Sequence, residues 1–316
     1  MFSINNLIEK AIEKVERRLS SGLAEQSKRI DDLLVLQGRA IALSNASRAP
    51  LSSIHDAEFK VFSQFGEDGI LQYLIRETGI SRSEQIFIEF GVQNYVESNT
   101  RFLLCNDNWR GLILDGSEQY INFVRSQDLY WRHDLTAVTA WITRDNINDL
   151  IKDAGFYGDV GILSVDIDGN DYWVWERISV VNPVIVVVEW NSVFGPDHAI
   201  SVPYSETFQR QQAHYSNLYW GASIQAFHHL AQSQGYALVG SNTAANNLFF
   251  VRQDRLGRLT ALSPQAAYLD SRFRDSRDAN HQLNFLSGQR RLQEILDLPV
   301  IDVITEAPTT LRQLGA

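Results

Sequence analysis

The chain has a single cysteine, Cys105, and no apolar run near the length that crosses a membrane. One cysteine excludes an intramolecular disulfide framework and a structural zinc site built on cysteines, and it favours a reducing compartment such as the cytoplasm. A membrane-spanning helix needs about twenty apolar residues, so we expect no integral membrane segment. Residues 1–18 are charged throughout rather than signal-like.

An excess of positive charge is also missing. The 28 lysines and arginines stand against 38 aspartates and glutamates, which gives a formal net charge of −10. Proteins that bind nucleic acid present basic surfaces, so we expect no nucleic-acid partner and favour a neutral small molecule or sugar. With 316 residues, 44% of them hydrophobic, the chain can bury a sizeable core as one large domain or two small ones.

Two short apolar runs separated by helix-like sequence stand out between residues 85 and 117. The first, Ile86-Phe87-Ile88, leads into Glu89-Phe90-Gly91, and the second, Leu112-Ile113-Leu114, ends on Asp115. Buried parallel strands read as short continuous apolar runs, so the pattern predicts a nucleotide-binding βαβ unit. In such a unit Gly91 supplies the tight turn beside a cofactor, and Asp115 can bind a ribose diol.

The loop after Gly91 argues against a dinucleotide. A dinucleotide site has small residues where this chain has Gln93 and Tyr95, so the triple-glycine signature is absent. A pyrophosphate would therefore be poorly bound. The sequence predicts a ribosyl ligand without phosphates.

Further apolar runs predict the rest of the sheet. Residues 129–134, 160–166 and 184–189 are interpreted as the third, fourth and fifth strands, and residues 236–240 and 247–252 as an antiparallel closing pair. Strands alternating with helices, followed by a terminal hairpin, predict an α/β fold. We expect a Rossmann-like doubly wound sheet of about seven strands, preceded by an N-terminal helical arm.

The arm is predicted over residues 1–45, because apolar residues recur there at steps of three and four from Ile4 onward. Ser20-Ser21-Gly22 leaves open one long helix or a helical hairpin. Its apolar stripe can pack on the chain's own domain or on another copy, and we favour a homo-oligomer formed through the arm.

Three more segments follow the arm. Residues 46–58 are interpreted as a linker, and residues 59–255 as the main domain, with an irregular lid or insertion at about residues 192–220. Residues 256–316 are polar and helix-prone, so they are predicted to be a peripheral tail without strands.

Acids follow four of the predicted strands. They are Glu89, Asp115, Asp166 with Asp168, and Glu189 with Asn191. Each alone could cap the following helix. Together they predict a functional crevice, since ligands bind outside the carboxyl ends of parallel strands. Asp168, Glu189 and Asn191 are candidate Mg²⁺ ligands, but such groups could instead orient sugar hydroxyls or take a proton.

The motifs resemble those of the class I S-adenosylmethionine-dependent methyltransferases, and within them the FkbM-like group of sugar and polyketide O-methyltransferases. The resemblance is carried by residues 87–91, 112–116, 163–171 and 186–189, and it covers roughly residues 60 to 252. Two departures are visible: Asp168 stands where the group has Glu, and the loop after Gly91 is bulkier.

The resemblance implies an O-methyltransferase that acts on a sugar hydroxyl in bacterial surface glycan or glycoside biosynthesis, with S-adenosylmethionine as cofactor and with or without Mg²⁺. Asp166, Asp168 and Glu189 would be catalytic, orienting or deprotonating the acceptor. Glu89 and the Gly91 turn would hold the cofactor's amino-acid end, Asp115 its ribose and Asp134 its adenine. The full predicted cofactor-binding set is Gln64, Glu89, Phe90, Gly91, Asn99, Asp115, Gly116, Ser117 and Asp134.

Two other functions stay open. Asp166-Ile167-Asp168 is also a D-x-D pair, of the kind with which many glycosyltransferases hold a metal-bound nucleotide sugar, although that function leaves Gly91 and Asp115 without a role. The other is a non-catalytic scaffold, organised by the arm and carrying a degenerate cofactor pocket.

Overall fold

The computed structural model describes residues 4–48, 50–272 and 274–315. Residues 1–3 of the predicted arm, residue 49 of the linker, and residues 273 and 316 of the tail lie outside the described residues. The centre of the fold is a seven-stranded sheet. Its strands are β1 (Ile86–Phe90), β2 (Arg110–Asp115), β3 (Leu135–Thr139), β4 (Gly158–Val165), β5 (Val181–Glu189), β7 (Tyr236–Ser241) and β8 (Asn247–Arg252).

The strand order is β3-β2-β1-β4-β5-β8-β7. The first five strands are parallel, and β8 runs antiparallel to both of its neighbours. The predicted fold class, a Rossmann-like doubly wound sheet closed by an antiparallel hairpin, is confirmed. Because these five strands are parallel, their carboxyl ends meet along one edge of the sheet, and β1 is the central strand of the five.

Helices cover both faces of the sheet. The helices are α1 (Ile4–Arg48), α2 (Glu67–Thr78), α3 (Arg101–Asp107), α4 (Glu118–Ser126), α5 (Asp128–Arg132), α6 (Ile147–Asp153), α7 (Asp171–Arg177), α8 (Arg210–Ala213), α9 (Ile224–Ser233), α10 (Pro264–Ala267) and α11 (Gln289–Gln293). One apolar core contains residues of α6, α7 and α9, and a second contains residues of α2, α3 and α4. Strands buried on both faces explain the continuous apolar runs in the sequence.

The arm is one helix, α1, and it extends to Arg48, into the segment predicted to be a linker. Its C-terminal half packs on the domain through Leu34, Val35, Ile41 and Ala42, which contact a small core around Phe59 and Phe102. Asp31 also pairs with Arg101 at 3.0 Å. No helix within the described ranges is long and apolar enough to cross a membrane.

The predicted third strand at residues 129–134 is wrong. Those residues mostly form α5, which an Asp128–Arg132 ion pair one helical turn apart supports at 3.0 Å. The strand lies just beyond them, at β3, so Asp134 precedes it instead of ending it. The segment between β1 and β2 is also less helical than expected, because only α3 is helix and residues 91–100 form a loop.

The tail does contain strands, contrary to the prediction. β9 (Pro299–Asp302) and β10 (Ala307–Thr310) form a three-stranded sheet with β6 (Ile200–Ser201) from the predicted lid. Each strand has four residues or fewer, too short to produce a distinct apolar pattern. A separate core that includes Phe194, Ile200 and Val300 joins the lid to the tail.

Candidate functional site

A cavity of about 740 Å³ opens along the carboxyl edge of the sheet. Residues that follow β1, β2, β3, β4 and β5 all contribute to its wall. Of the predicted site residues, those on the wall are Gln64, Gly91, Asp115, Gly116, Ser117, Asp166, Asp168 and Glu189. The strand-end acids therefore come together as expected, with the exception of Glu89.

Gly91 makes the turn that the sequence predicts. Its φ of +70° lies in the left-handed region, and its N–H donates to the Leu114 carbonyl at 2.9 Å. A Cβ at this position would lie 1.6 Å from the carbonyl oxygen of Asp166. Gln93 and Tyr95 follow with φ of 48° and 58°. The loop thus turns tightly over the strand ends with one glycine where a dinucleotide loop has several.

Asp115 is positioned by the backbone on either side of it. One carboxylate oxygen accepts from the Gln93 N–H at 2.7 Å, and the other accepts from the Ser117 N–H at 2.8 Å. Each oxygen retains a lone pair, and the residue lies on the cavity wall. The arrangement can accept two further hydrogen bonds from adjacent hydroxyls, as a ribose diol would supply.

The residues after β3 were missed from the sequence because the strand was misplaced. Ala140, Trp141 and Ile142 line the cavity beside Gly116, where an added Cβ would lie 3.2 Å from the Trp141 ring. Trp141 is half exposed, and its Nε1 donates to the Glu206 carbonyl at 2.6 Å. An exposed indole beside the ribose position can stack on a flat base.

Asp134 is not part of this wall. It lies at the amino end of β3, on the opposite edge of the sheet, and its exposed carboxylate is 3.7 Å from Arg110 Nε. The predicted contact between Asp134 and adenine is therefore corrected.

Glu89 fastens the loop and lies below the cavity, so its predicted contact with the cofactor is also corrected. The buried carboxylate accepts from Ser98 Oγ at 2.6 Å, from the Asn99 N–H at 2.8 Å and from the Thr100 N–H at 3.2 Å. Burial raises the pKa of Glu89, and the hydrogen bonds from Ser98 and Thr100 oppose that shift. Phe90 and Asn99 are likewise buried off the wall, and Asn99 Nδ2 donates to Ser164 Oγ.

Three acids meet at the ends of β4 and β5. One carboxylate oxygen each of Asp166, Asp171 and Glu189 lies within 4.8 Å of the other two. Burial raises the pKa of Glu189 well above its ordinary value, and the Asp166 carboxylate adds to the shift. Burial likewise raises the pKa of Asp166, with Asp168 and Asp171 adding to it. Burial also raises the pKa of Asp171 to about 7. The three carboxyl groups therefore bind protons more tightly than isolated carboxyl groups do.

The predicted metal set is not brought together. Asn191 Nδ2 donates to the Leu218 and Trp220 carbonyls at 2.9 Å each, and its Oδ1 accepts from the Val193 N–H at 3.0 Å, so its amide is used in the fold. Asp168 is exposed and pairs with Arg210 at 3.2 Å. A divalent ion would instead meet Asp166 and Glu189, because Asp171 already accepts from the Ile167 and Gly169 N–H groups.

Arg210, which sequence reasoning missed, lines the cavity near the ends of β4 and β5. It bridges Asp168 and Asp275, at 3.2 and 2.7 Å, and its guanidinium lies 4.3 Å from the centroid of the Trp220 ring. The partners come from β4's end, the lid and the tail. A lone arginine in an irregular segment carries no sequence signal for such contacts.

No protein-family model matches the chain, and no curated protein matches it. Solved structures similar to it include an O-methyltransferase from Bacillus cereus in complex with S-adenosylhomocysteine, at 11% identity over 68% of this chain and 90% of that chain, with a TM-score of 0.39. The N-terminal domain of EvdMO1 with S-adenosylhomocysteine bound matches at 11% identity over 70% and 97%, with a TM-score of 0.38. The CurJ carbon methyltransferase matches at 10% identity over 74% and 70%, with a TM-score of 0.39.

Proposed function

We propose that the protein is an S-adenosylmethionine-dependent O-methyltransferase that acts on a sugar hydroxyl. The proposal rests on a single cavity whose two halves differ in the chemistry of their side chains. Gly91, Asp115 and Trp141 form a nucleoside-binding half, and the acids Asp166 and Glu189 form a half suited to a hydroxyl acceptor. FkbM-like assignment and a role in glycan or glycoside biosynthesis rest on the sequence motifs.

The residues fit a cofactor that lies along the strand ends. Trp141 would contact the adenine, Asp115 would accept from the ribose diol, and the Gly91 turn would let the backbone approach closely, because no Cβ stands in the way. The cofactor supplies a methyl group on a positively charged sulfur. Ionised carboxylates on the cavity wall would attract that positive charge and so favour binding of the cofactor.

The chain's own part in the reaction is to position the acceptor and take its proton. A carboxylate of the Asp166–Glu189 pair would take the hydroxyl proton as the acceptor oxygen receives the methyl group and the cofactor is left as a neutral sulfide. The raised pKa of Glu189 makes it a stronger base than an ordinary carboxylate. Mg²⁺ bound by Asp166 and Glu189 would instead lower the proton affinity of the hydroxyl.

The glycosyltransferase alternative is less well supported. A D-x-D pair holds a metal through both acids, but Asp168 is exposed and paired with Arg210 at 3.2 Å. Asp115 and the Gly91 turn also fit a nucleoside without phosphates.

The proposal is tested by ligand binding to wild-type protein and an Asp115→Ala variant. Wild type should be stabilised against heat by S-adenosylhomocysteine, by about 3 kcal/mol at a hundred times the Kd. Asp115→Ala removes an ionised hydrogen-bond acceptor from the ribose position and should raise the Kd about 10- to 100-fold in calorimetry.

Asp153→Ala is the matched control, since Asp153 is an exposed acid on α6 away from the cavity. It should bind S-adenosylhomocysteine as wild type does. An Asp115→Ala variant that stays folded and keeps the wild-type Kd contradicts the ribose assignment. Stabilisation of wild type by a nucleoside diphosphate with Mn²⁺, and not by S-adenosylhomocysteine, would favour the glycosyltransferase.

We propose further that α1 pairs with another copy of the chain. Large aliphatic side chains that the domain leaves exposed recur along α1 at steps of three, four and seven, and they are Ile12, Val15, Leu19, Leu23, Ile30, Leu33 and Leu36, each 52 to 66% exposed. Such a stripe is characteristic of a coiled-coil seam. The step of four from Leu19 to Leu23 departs from the heptad at Gly22, where it would locally unwind a supercoil.

Charges placed in the stripe should dissociate the oligomer. Leu23→Glu with Ile30→Glu should lower the mass measured by light scattering to that of one chain, because carboxylates cannot be buried in the seam. Lys14→Glu is the control: it changes the net charge by the same two units, but it lies about 200° around the helix from Ile12. An unchanged mass in the stripe variant, or a monomeric wild type, counts against the pairing.

A further inference from the structure

Glu67 is a buried acid that the proposed reaction does not use. It lies in the first turn of α2, is fully buried, and occupies one end of a chain of amide side chains that leads to the cavity. Its Oε1 accepts from Asn242 Nδ2 at 2.6 Å and from Asn247 Nδ2 at 3.0 Å, and its Oε2 accepts from the Phe65 N–H at 2.9 Å. An ionised carboxylate can only accept, so the groups facing it must be donors.

This requirement sets the direction of the next amide. Asn242 Nδ2 faces Glu67 and also donates to Asn246 Oδ1 at 2.6 Å. Its Oδ1 accepts from the Asn246 and Asn247 N–H groups at 3.1 and 3.2 Å. Reversing the Asn242 amide would place oxygen against carboxylate and NH₂ against N–H. A single orientation therefore satisfies every contact.

The orientation of Asn242 in turn sets the orientations of the Asn246 and Gln64 amides. With its oxygen engaged by Asn242, Asn246 turns its Nδ2 outward and donates to Gln64 Oε1 at 3.2 Å. Gln64 Nε2 is then the remaining end of the chain, and among the described residues it has no hydrogen-bond partner. Gln64 is exposed and lines the cavity. The network thus presents an NH₂ donor to a ligand and keeps the acceptor oxygen turned away.

The segment that carries Gln64 is itself held firmly. The adjacent acid, Asp68, has one oxygen that accepts from the Val61, Phe62 and Ser63 N–H groups at 2.7 to 2.8 Å. Residues 61–63 are therefore tied to the start of α2. Gln64 follows directly, so both its backbone position and its amide orientation are determined by buried acids of the same helical turn.

The position of Gln64 indicates which part of the cofactor it meets. The strand ends that line the cavity run from β3 through β2 and β1 to β4. With adenine at Trp141 and ribose at Asp115, the amino-acid end extends across β1 toward β4, two strand spacings or about 10 Å away. Gln64 lines the cavity, and it also lines an adjoining pocket together with Glu189 and Arg210, which places it toward the β4 and β5 side.

An amino-acid end carries an ammonium and a carboxylate. The acids at Asp166 and Glu189 can attract the ammonium, whereas the carboxylate needs donors. Arg210 already donates through each of its three nitrogens, to Asp168, Asp275 and the Asn217 carbonyl, and its charge is balanced by two carboxylates, whereas Gln64 Nε2 has both of its N–H groups available within the described part of the chain. We propose that Gln64 Nε2 binds the α-carboxylate of the cofactor, and that Glu67, Asn242 and Asn246 are positioning residues that hold Gln64 in the donor orientation. This inference rests on the proposed function.

The experiment compares S-adenosylhomocysteine with 5′-methylthioadenosine, which has the same nucleoside and sulfur but no amino-acid end. Gln64→Glu replaces the NH₂ donor by a carboxylate oxygen at nearly the same position. It should weaken S-adenosylhomocysteine about 30-fold or more in calorimetry. Binding of 5′-methylthioadenosine should stay within about twofold of wild type.

Asn246→Asp tests the positioning residues. It removes the donor to Gln64 Oε1, and the Gln64 amide should then rotate its NH₂ toward the new carboxylate, so S-adenosylhomocysteine should again weaken selectively, about fivefold or more. Asn280→Asp adds the same charge at an exposed position off the cavity wall, and it should change neither affinity.

Gln64 is exposed, so Gln64→Glu should fold normally and decides the inference on its own. A loss shared equally by both ligands, or no loss for either, overturns it. If wild type binds 5′-methylthioadenosine and S-adenosylhomocysteine with equal affinity, the amino-acid end makes no contact of this kind, and the inference fails while the proposed function stands. If wild type binds neither ligand, the proposed function fails.

Discussion

Replacing Gly91 by alanine should destabilise the protein by about 3–5 kcal/mol and abolish cofactor binding. The residue has a φ of +70°, and the added Cβ would lie 1.6 Å from the Asp166 carbonyl oxygen. That oxygen belongs to backbone at the end of a central strand, so it cannot move aside as a flexible side chain would. Urea unfolding, with and without S-adenosylhomocysteine, measures both losses.

Gly158→Ala is a matched control for the backbone conformation. Gly158 has a φ of +75°, and nothing lies within 4 Å of its added Cβ. The Gly158→Ala substitution should therefore lower the free energy of unfolding only by the intrinsic strain of a left-handed residue, about 1–2 kcal/mol. If Gly91→Ala is no more destabilising than Gly158→Ala, the close approach between the β1 turn and the β4 end is not what the glycine serves.

The sheet was predictable where burial on both faces produced continuous apolar runs. β1, β2, β4 and β5 each contain such a run, and they pair in parallel as expected. Each also carries its acid or glycine at its carboxyl end or directly after it. Local sequence therefore placed Gly91, Asp115, Asp166 and Glu189 on a common edge, because parallel strands align their carboxyl ends.

The third strand was missed because short aromatic runs do not distinguish a helix from a strand. Residues 129–132 carry Leu, Tyr and Trp, which suit either state, and the Asp128–Arg132 ion pair favours the helix. A shift of a few residues moved the strand end from Asp134 to Thr139. Trp141, which the proposed function places beside the adenine, was absent from the prediction for that reason.

The roles of the remaining residues were not predicted from the sequence, because they depend on contacts that form only in the folded chain. Glu89 fits a strand-end ligand as well as a loop anchor, and only the folded loop shows that Ser98, Asn99 and Thr100 occupy it. Asp275 of the tail forms an ion pair with Arg210 at the cavity. The amide chain from Glu67 to Gln64 joins residues about 180 positions apart. No local pattern encodes such pairings.

Glu189→Gln should make the protein more stable at pH 8 while abolishing the proposed methyl transfer. Glu189 is buried at the end of β5, where burial and the Asp166 carboxylate raise its pKa well above its ordinary value. The folded state therefore binds a proton more tightly than the unfolded state does. The free energy of unfolding therefore decreases as pH rises from the ordinary glutamate pKa of about 4.3 toward the raised pKa of the folded state. Above that raised pKa the whole loss of stability is present.

Glutamine has nearly the same shape and no charge, so the variant avoids that cost. We expect a gain of about 1–3 kcal/mol at pH 8, and we expect the gain to narrow as the pH is lowered toward the ordinary glutamate pKa of about 4.3, because the folded carboxyl binds its proton before the unfolded one does. Burial raises the pKa of Asp171 to about 7, and this residue changes the stability of wild type and variant with pH in the same direction. Denaturant unfolding at pH 5, 6.5 and 8 in EDTA measures the difference, and EDTA removes any divalent ion that would pair with the acids.

Glu118→Gln is the control, since it removes an exposed carboxylate at the surface of α4, and its stability should follow wild type at every pH. A Glu189→Gln variant that is less stable than wild type at pH 8 would mean that the ionised carboxylate stabilises the fold, contrary to its position beside Asp166. If the variant is more stable than wild type and inactive, the charge of Glu189 serves the reaction and lowers the stability of the fold.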